Sequence, residues 1–237
     1  MEPMVDIQPD SRLDSRHDAE QRFRTSILTS ERGIKRVLEL RARCFAREFA
    51  YDQFERCADH LVVEDVRSGA IVGAYRLVSS KRIATFESER YFQMTPWLKR
   101  QRHAVELGWA CVREDYRQGA VVARLWRGLS AYFANDAVDA VFGPTGVTGG
   151  TTVELQRLMV FLRAKNFDLV DSGIHALHGI LGPRPDSIDV PSNMTVRSLP
   201  KMLRAYLASG ARVLLDPVYD SKSQCFDLMT VLQLSRS

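Results

Sequence analysis

Lysine is scarce in this sequence. Only six of its 33 basic residues are lysine (Lys35, Lys81, Lys99, Lys165, Lys201 and Lys222), which leaves 27 arginines in a chain of 237 residues with a formal net charge of +4. Such a bias follows either from GC-rich codon usage, which spreads arginine evenly, or from binding phosphate or an acidic partner, which gathers it on one face. Long apolar runs are absent as well. No stretch approaches the roughly 18 residues a spanning helix needs, and Glu2, Asp6, Asp10, Arg12 and Asp14 make the amino terminus too charged for a signal peptide. A cytoplasmic protein is therefore expected.

Cysteines are few and far apart in the sequence. Cys44, Cys57, Cys111 and Cys225 form no CxxC or Cys/His ligand pattern, which argues for reduced thiols and against structural zinc. GxGxxG with a distant acid, GxxxxGK[ST], HExxH and GxSxG are all missing. Dinucleotide, P-loop, zinc-protease and serine-hydrolase chemistries thus lack their signatures.

What remains has globular composition, with 45% hydrophobic and 26% charged residues. Residues 1–20 are polar without periodicity and read as a flexible leader, and 21–237 as one domain. From Glu31 to Ala50 apolar residues recur at helical spacing, with Arg41 and Glu48 on the apolar seam and so expected inward, as an internal ion pair or as site residues. His60–Val66 and Ala70–Val78 read as a hairpin through Arg67-Ser68-Gly69. Lys81–Arg102 reads as an irregular aromatic loop. His103–Arg113 alternates with period two, placing Glu106, Gly108, Ala110 and Val112 on one face and Leu107, Trp109 and Cys111 on the other. Helices are expected at Val121–Phe133 and Thr151–Lys165, and another from Leu199, capped by Ser198. Strands are expected at Val138–Gly143, Asp168–Ile174, Ala211–Asp216 and Cys225–Leu234. The stretch holding Gly182, Pro183, Pro185 and Pro191 suggests a binding loop or lid. The fold class is α+β, one mixed sheet covered by helices.

Three places can carry chemistry. The strand, polar turn and helix around Arg117, Gln118, Gly119 and Ala120 would offer backbone N–H groups and one positive charge to a phosphate. Upstream, Gly108 inside a strand marks a bulge or a close approach. If a thioester arm lay along Gly108, Ala110, Cys111 and Val112, Glu106 would face the reacting carbon as general base for an amine. The segment Asp52–His60 sets three acids and a histidine before a strand, where they would hold a cationic acceptor or, as solvated charges, nothing. His60 could act as acid/base or be structural. The spacing matches no metal-ligand set.

Together these segments resemble a known family. Arg41…Phe45…Glu48, Asp52, Phe54, Asp59-His60-Leu61, Ile71-Val72-Gly73-Ala74-Tyr75-Arg76-Leu77, Glu106-Leu107-Gly108…Cys111-Val112…Tyr116-Arg117 and Leu125-Trp126…Tyr132 are similar to the ornithine lipid N-acyltransferases. Those stand in a wider GNAT-like group with long-chain N-acyl amino acid synthases and, more distantly, acyl-homoserine lactone synthases. The resemblance runs from about Arg24 to Leu234. It implies a GNAT-like single mixed, mainly antiparallel sheet flanked by helices. It also implies transfer of a long-chain (3-hydroxy)fatty acyl group from acyl carrier protein to the α-amine of an amino acid such as ornithine.

No bound cofactor, metal or nucleic acid is expected. Glu106 and His60 are the catalytic candidates. Arg41, Glu48, Asp52 and Arg76 would bind the acceptor, and Gly108, Ala110, Cys111, Val112, Arg117, Gln118, Gly119 and Ala120 the phosphopantetheine thioester. Coenzyme A-dependent GNAT proteins typically carry R/QxxGxG/A, which Arg117-Gln118-Gly119-Ala120-Val121-Val122 lacks. An acidic carrier protein would also give surface arginine a use. Trp109 stands where these relatives commonly have arginine, which leaves acceptor specificity open. A lactone-type signal synthase using S-adenosylmethionine, and a non-catalytic carrier-binding module, are the alternatives. A long-chain product would leave into a bilayer, so contact with the inner face of a membrane is expected through loop 86–97 or the helix at Leu199–Leu207.

Overall fold

The computed structural model describes residues 22–117, 119–148, 151–178, 193–221 and 223–234. The expected leader, Gln118 and most of the Pro/Gly-rich stretch lie outside them. The described residues form two compact units, and the strands Ala70–Ser79 and Ala104–Val112 contribute to both. One unit runs through Arg76 and adds Trp109–Tyr132; the other is Leu77–Gly108 with the residues from Phe133 onward.

In the first unit, β1 (Phe23–Leu28) pairs antiparallel with β2 (Asp59–Asp65), from Phe23↔Asp65 to Leu28↔His60. β3 (Ala70–Ser79) follows β2 through the turn at Gly69, as the hairpin pattern predicts. Helix α1 (Glu31–Phe45) starts where the Ser30 side chain accepts from the Gly33 N–H. It ends at Ala46, which takes a left-handed φ of 51°. That stop comes before Ala50, so Glu48 lies beyond the helix and exposed rather than on its inner seam. Val37 and Leu40 of α1 pack on Val62, Ile71, Ala74 and Cys111. α2 (Gln53–Cys57) is capped by Asp52, and α4 (Ala120–Asn135) buries Val121, Leu125 and Leu129.

In the second unit, β5 (Ala104–Val112) runs parallel to β6 (Ala140–Thr148) in the register Ala104↔Ala140, Val105↔Val141 and Glu106↔Phe142. β10 (Cys225–Gln233) pairs antiparallel with β6 along their whole length, and short β8 (Arg212–Val213) and β9 (Val218–Asp220) pair with β10. α5 (Thr152–Ala164) opens on a Thr151–Glu154 capping box. Its Leu155, Leu158 and Leu162 pack with Leu203 and Leu207 of α6 (Lys201–Ala208). α6 begins after Pro200, with no side-chain cap, not at Leu199 under Ser198; a proline that lacks an N–H is suited to that boundary. The residues from Asp168 to Ile174 make one isolated bridge, Asp168↔Val213, in place of the expected strand.

The aromatic segment expected to be an irregular loop holds a short 3-10 turn (Glu87–Arg90), β4 (Phe92–Gln93) paired with β7 (His175–Ala176), and α3 (Thr95–Leu98). Its rings face the core. Phe86 and Trp97 sit edge-on against Phe142, with centroids 4.9 and 5.4 Å away, and Phe92 and Met94 are buried. Leu199, Leu203 and Leu207 are buried too. Both candidate membrane-contacting segments therefore spend most of their large apolar side chains on internal packing, Tyr91 being exposed, and burial removes the same area from water as a bilayer would.

Candidate active site

The acidic segment before β2 folds around the middle one of its three acids, Glu55. Asp52 Oδ1 accepts from the N–H groups of Phe54 and Glu55, at 2.9 and 3.0 Å, and so starts α2 with Glu55 in its first turn. Glu55 is buried, and both its oxygens accept from Arg41 Nη1 at 2.8 Å, while Arg76 Nη1 donates to Oε1 at 3.1 Å. The two arginines expected to hold the acceptor therefore converge on Glu55. Arg41 is 0% and Arg76 2% exposed. Asp52, assigned to the acceptor as well, is half-buried and acts as the helix cap. The D-x-x-E spacing from Asp52 to Glu55 is a capping signature, and would have placed Glu55 on a helix start rather than in a solvated loop.

His60 completes this cluster. Its Nδ1 faces Arg41 Nη2 at 3.4 Å and its Nε2 faces the Glu55 carbonyl oxygen at 3.1 Å. A guanidinium only donates and a carbonyl only accepts, so the neutral ring carries its proton on Nε2. Burial, and then the charge of Arg41, hold the imidazole pKa below its ordinary value. Both ring nitrogens are committed, the arrangement of a structural histidine. Asp59, the third acid of the segment, accepts from the Tyr132 hydroxyl at 2.8 Å.

Glu106 lies on β5 at the last residue of the parallel register with β6, and is 1% exposed. Its Oε1 accepts from the Ser88 N–H at 2.9 Å and from the Ser88 hydroxyl. Ser88 belongs to the 3-10 turn of the aromatic segment, so that segment holds the carboxylate in place. The strands come close here. A Cβ on Gly143 would stand 2.2 Å from the Leu107 carbonyl oxygen, so β6 needs glycine there.

Three residues beyond Glu106 the strand breaks. Trp109 has φ 53°, a left-handed conformation foreign to a strand. Period-two alternation does not carry across such a residue, so the expectation that Trp109 faces away from Glu106 loses its basis. The indole packs edge-on against Phe45 and Phe49, with centroids 5.8 and 4.9 Å away, and Arg47 lies 4.6 Å from its ring. Past the break, Cys111 is buried while Val112 is partly exposed.

Arg117 Nε donates to the Val112 carbonyl at 3.1 Å, closing the turn between β5 and α4. Gly119, at φ +101°, opens the helix, and a Cβ on it would meet nothing within 4 Å. Gly119 and Ala120 are exposed. Gly108, Ala110, Cys111, Val112, Arg117, Gly119 and Ala120 thus follow one another along a strand end, a turn and a helix start.

Residues 35–127 match the family model of the acetyltransferase (GNAT) domain. Among curated proteins, the chain is 27% identical over 182 residues to an L-ornithine N(alpha)-acyltransferase of Rhodobacter capsulatus, covering 68% of this chain and 66% of that protein. It is 25% identical over 236 residues to one of Brucella abortus, covering 89% and 84%, and 28% identical over 199 residues to one of Rhizobium meliloti, covering 78% and 67%. Among solved structures, FeeM, an N-acyl amino acid synthase from uncultured soil microbes, superposes with TM-score 0.53 at 10% identity, covering 90% of this chain and 91% of that one. BjaI, a CoA-dependent acyl-homoserine lactone synthase, superposes with TM-score 0.51 at 13% identity, covering 90% and 84%. The chain has the GNAT fold, a mixed and mostly antiparallel sheet flanked by helices, and is similar in sequence to the curated L-ornithine N(alpha)-acyltransferases.

Proposed function

We propose that this protein is an N-acyltransferase that moves a long-chain (3-hydroxy)fatty acyl group from acyl carrier protein to the α-amine of an amino acid such as ornithine. The observation that carries the reading is the construction of β5. It holds a buried carboxylate at Glu106, a left-handed break at Trp109 and a run of backbone amides beyond it, ending in an open, glycine-started helix. The homologues named L-ornithine N(alpha)-acyltransferase supply the acceptor class.

In this reading the pantetheine arm lies along β5 past Trp109, its amides bonding to the strand as a further strand would. Its single phosphate approaches the start of α4 at Gly119 and Arg117. Glu106, directly or through a water, takes the proton from the acceptor amine as nitrogen attacks the thioester carbonyl. N–H groups of residues 110–112 stabilise the oxyanion, and the carbon–sulfur bond breaks to leave an amide and the carrier thiol. The Arg41–Glu55–Arg76 cluster with His60 is a positioning framework in this reading, since both arginines and the histidine ring are bonded to Glu55. Among the described residues no helix is long and apolar enough to cross a membrane.

The test supplies purified protein with 3-hydroxyacyl carrier protein and a panel of amino acids, with and without S-adenosylmethionine, and reads products by mass spectrometry. An N-acyl amino acid is expected without S-adenosylmethionine, and Glu106→Gln should lower kcat by about 100-fold or more. A lactone product, or carrier binding with no turnover of any acceptor, overturns the reading. Undiminished turnover in Glu106→Gln removes that residue from the role of base.

A further inference from the structure

The first unit brings two of the four cysteines together. Cys44 sits in the last turn of α1, seven residues after Val37 and four after Leu40, and continues their apolar stripe. That stripe packs on the cluster containing Cys111, and Cys44 itself packs against that cluster. Cys111 is buried, whereas Cys44 is partly exposed. We propose that Cys44 and Cys111 form a reversible disulfide site, an oxidant-sensitive link that ties the end of α1 to β5 and suppresses acyl transfer. The suppression rests on the donor-strand reading above, while the disulfide itself does not.

The environment suits the chemistry. The hydrogen bond from Cys111 pulls the Cys44 thiol down to about 7, with smaller contributions from the positive charges of Arg117 and Arg113 acting against burial. The partner thiol is pushed up by that same hydrogen bond and by burial. Cys44 is thus the attacking thiolate and Cys111 the resolving thiol. With a peroxide as oxidant, the Cys44 thiolate attacks one oxygen, the O–O bond breaks, and a sulfenic acid forms as hydroxide leaves. Cys111 sulfur then attacks Cys44 Sγ, the S–O bond breaks, and the departing hydroxyl takes the Cys111 proton as water. Two thiols are oxidised to one disulfide, and the peroxide is reduced to two waters.

The experiment treats the full-length protein with hydrogen peroxide and maps its peptides under non-reducing conditions. A Cys44–Cys111 cross-link reversed by dithiothreitol is expected, unchanged in Cys57→Ser and lost in Cys44→Ser. Its rate should fall about 50-fold from pH 7 to pH 5 as the thiolate is protonated. Loss of acyl transfer should follow the cross-link and return on reduction. Cys44 joined to Cys57, or carried to sulfinic acid while Cys111 still alkylates, overturns the proposal, as does a complete cross-link with undiminished turnover. Because mapping needs no acyl donor, a reduced protein that transfers nothing refutes the acyltransferase reading and leaves the disulfide to be decided by the peptides.

Discussion

Replacing Glu55 by glutamine removes the negative charge that two buried guanidiniums share and leaves almost the same shape behind. Arg41 binds both Glu55 oxygens at 2.8 Å and Arg76 binds one at 3.1 Å, with Arg41 wholly buried and Glu55 at 3%. No water can take over for the lost carboxylate on Arg41 without opening the core. Removing one partner of a buried pair typically costs about 3–5 kcal/mol. For a domain of this length each kcal/mol lowers Tm by about 2–4 °C, so Glu55→Gln should melt about 6–20 °C below the parent. Urea unfolding with linear extrapolation gives the same quantity, provided the m-value is unchanged. The reasoning makes a second demand. If the loss comes from stranded charge, Arg41→Met/Glu55→Leu/Arg76→Met, which strands none, should be more stable than Glu55→Gln alone. A loss under about 1 kcal/mol in Glu55→Gln, or a triple variant below the single one, refutes the account.

Three further outcomes are expected. His60 has a folded pKa below its unfolded value near 6.5, so the folded state binds fewer protons in that window. The stability it contributes is present above pH 6.5 and is lost as pH falls through the folded value. Its NMR titration should lie below 6.5 with the proton on Nε2, and a midpoint at or above 6.5 would remove the argument. Asp227 behaves oppositely, because burial and then Asp220 raise it from 3.8 to about 6. Its ionisation destabilises the fold as pH rises through 6, so Asp227→Asn should add about 1–3 kcal/mol at pH 8 and nothing at pH 3.5; equal effects at both would exclude this origin. Gly143→Ala must push β6 away from the Leu107 carbonyl, 2.2 Å from the new Cβ, and should cost about 1–3 kcal/mol in a thermal melt; an unchanged Tm would mean the strands separate freely.

Elements with strong periodicity were legible. α4 repeats apolar residues at helical spacing and buries Val121, Leu125 and Leu129, and β2 and β3 are β-rich runs around a glycine turn. β1 was not legible, because FRTSIL has one buried residue and reads as polar, the composition of an edge strand whose stability comes from pairing with β2. The break at Trp109 was hidden for a different reason. Tryptophan has no local preference for positive φ, and the conformation is over-determined by Phe45, Phe49 and Arg47, all remote in sequence. Glu106 stood out because a carboxylate among small and apolar residues breaks its strand's pattern. Glu55 did not, because it lies among other charges, and only the fold distinguishes the acid that two arginines bury from its neighbours.

The shortage of lysine also acquires a physical reading. Arg41 and Arg76 share Glu55, Arg24 and Arg36 share Glu64, and Arg22 binds Asp65 through both Nε and Nη2. Glu55, Glu64 and Asp65 are all buried. On Asp65 the two nitrogens of the Arg22 fork meet one carboxylate, which a single ammonium cannot reproduce, and Arg41 uses separate nitrogens on Glu55 and His60. Arg47 uses its flat face on Phe49 and Trp109, which an ammonium matches only as a point charge. Arginine at these positions is fixed by internal geometry, whatever codon usage adds elsewhere. The proposed carrier-docking face would therefore be sought among arginines outside these pairs, such as Arg117 at the mouth of α4, rather than in the total of 27.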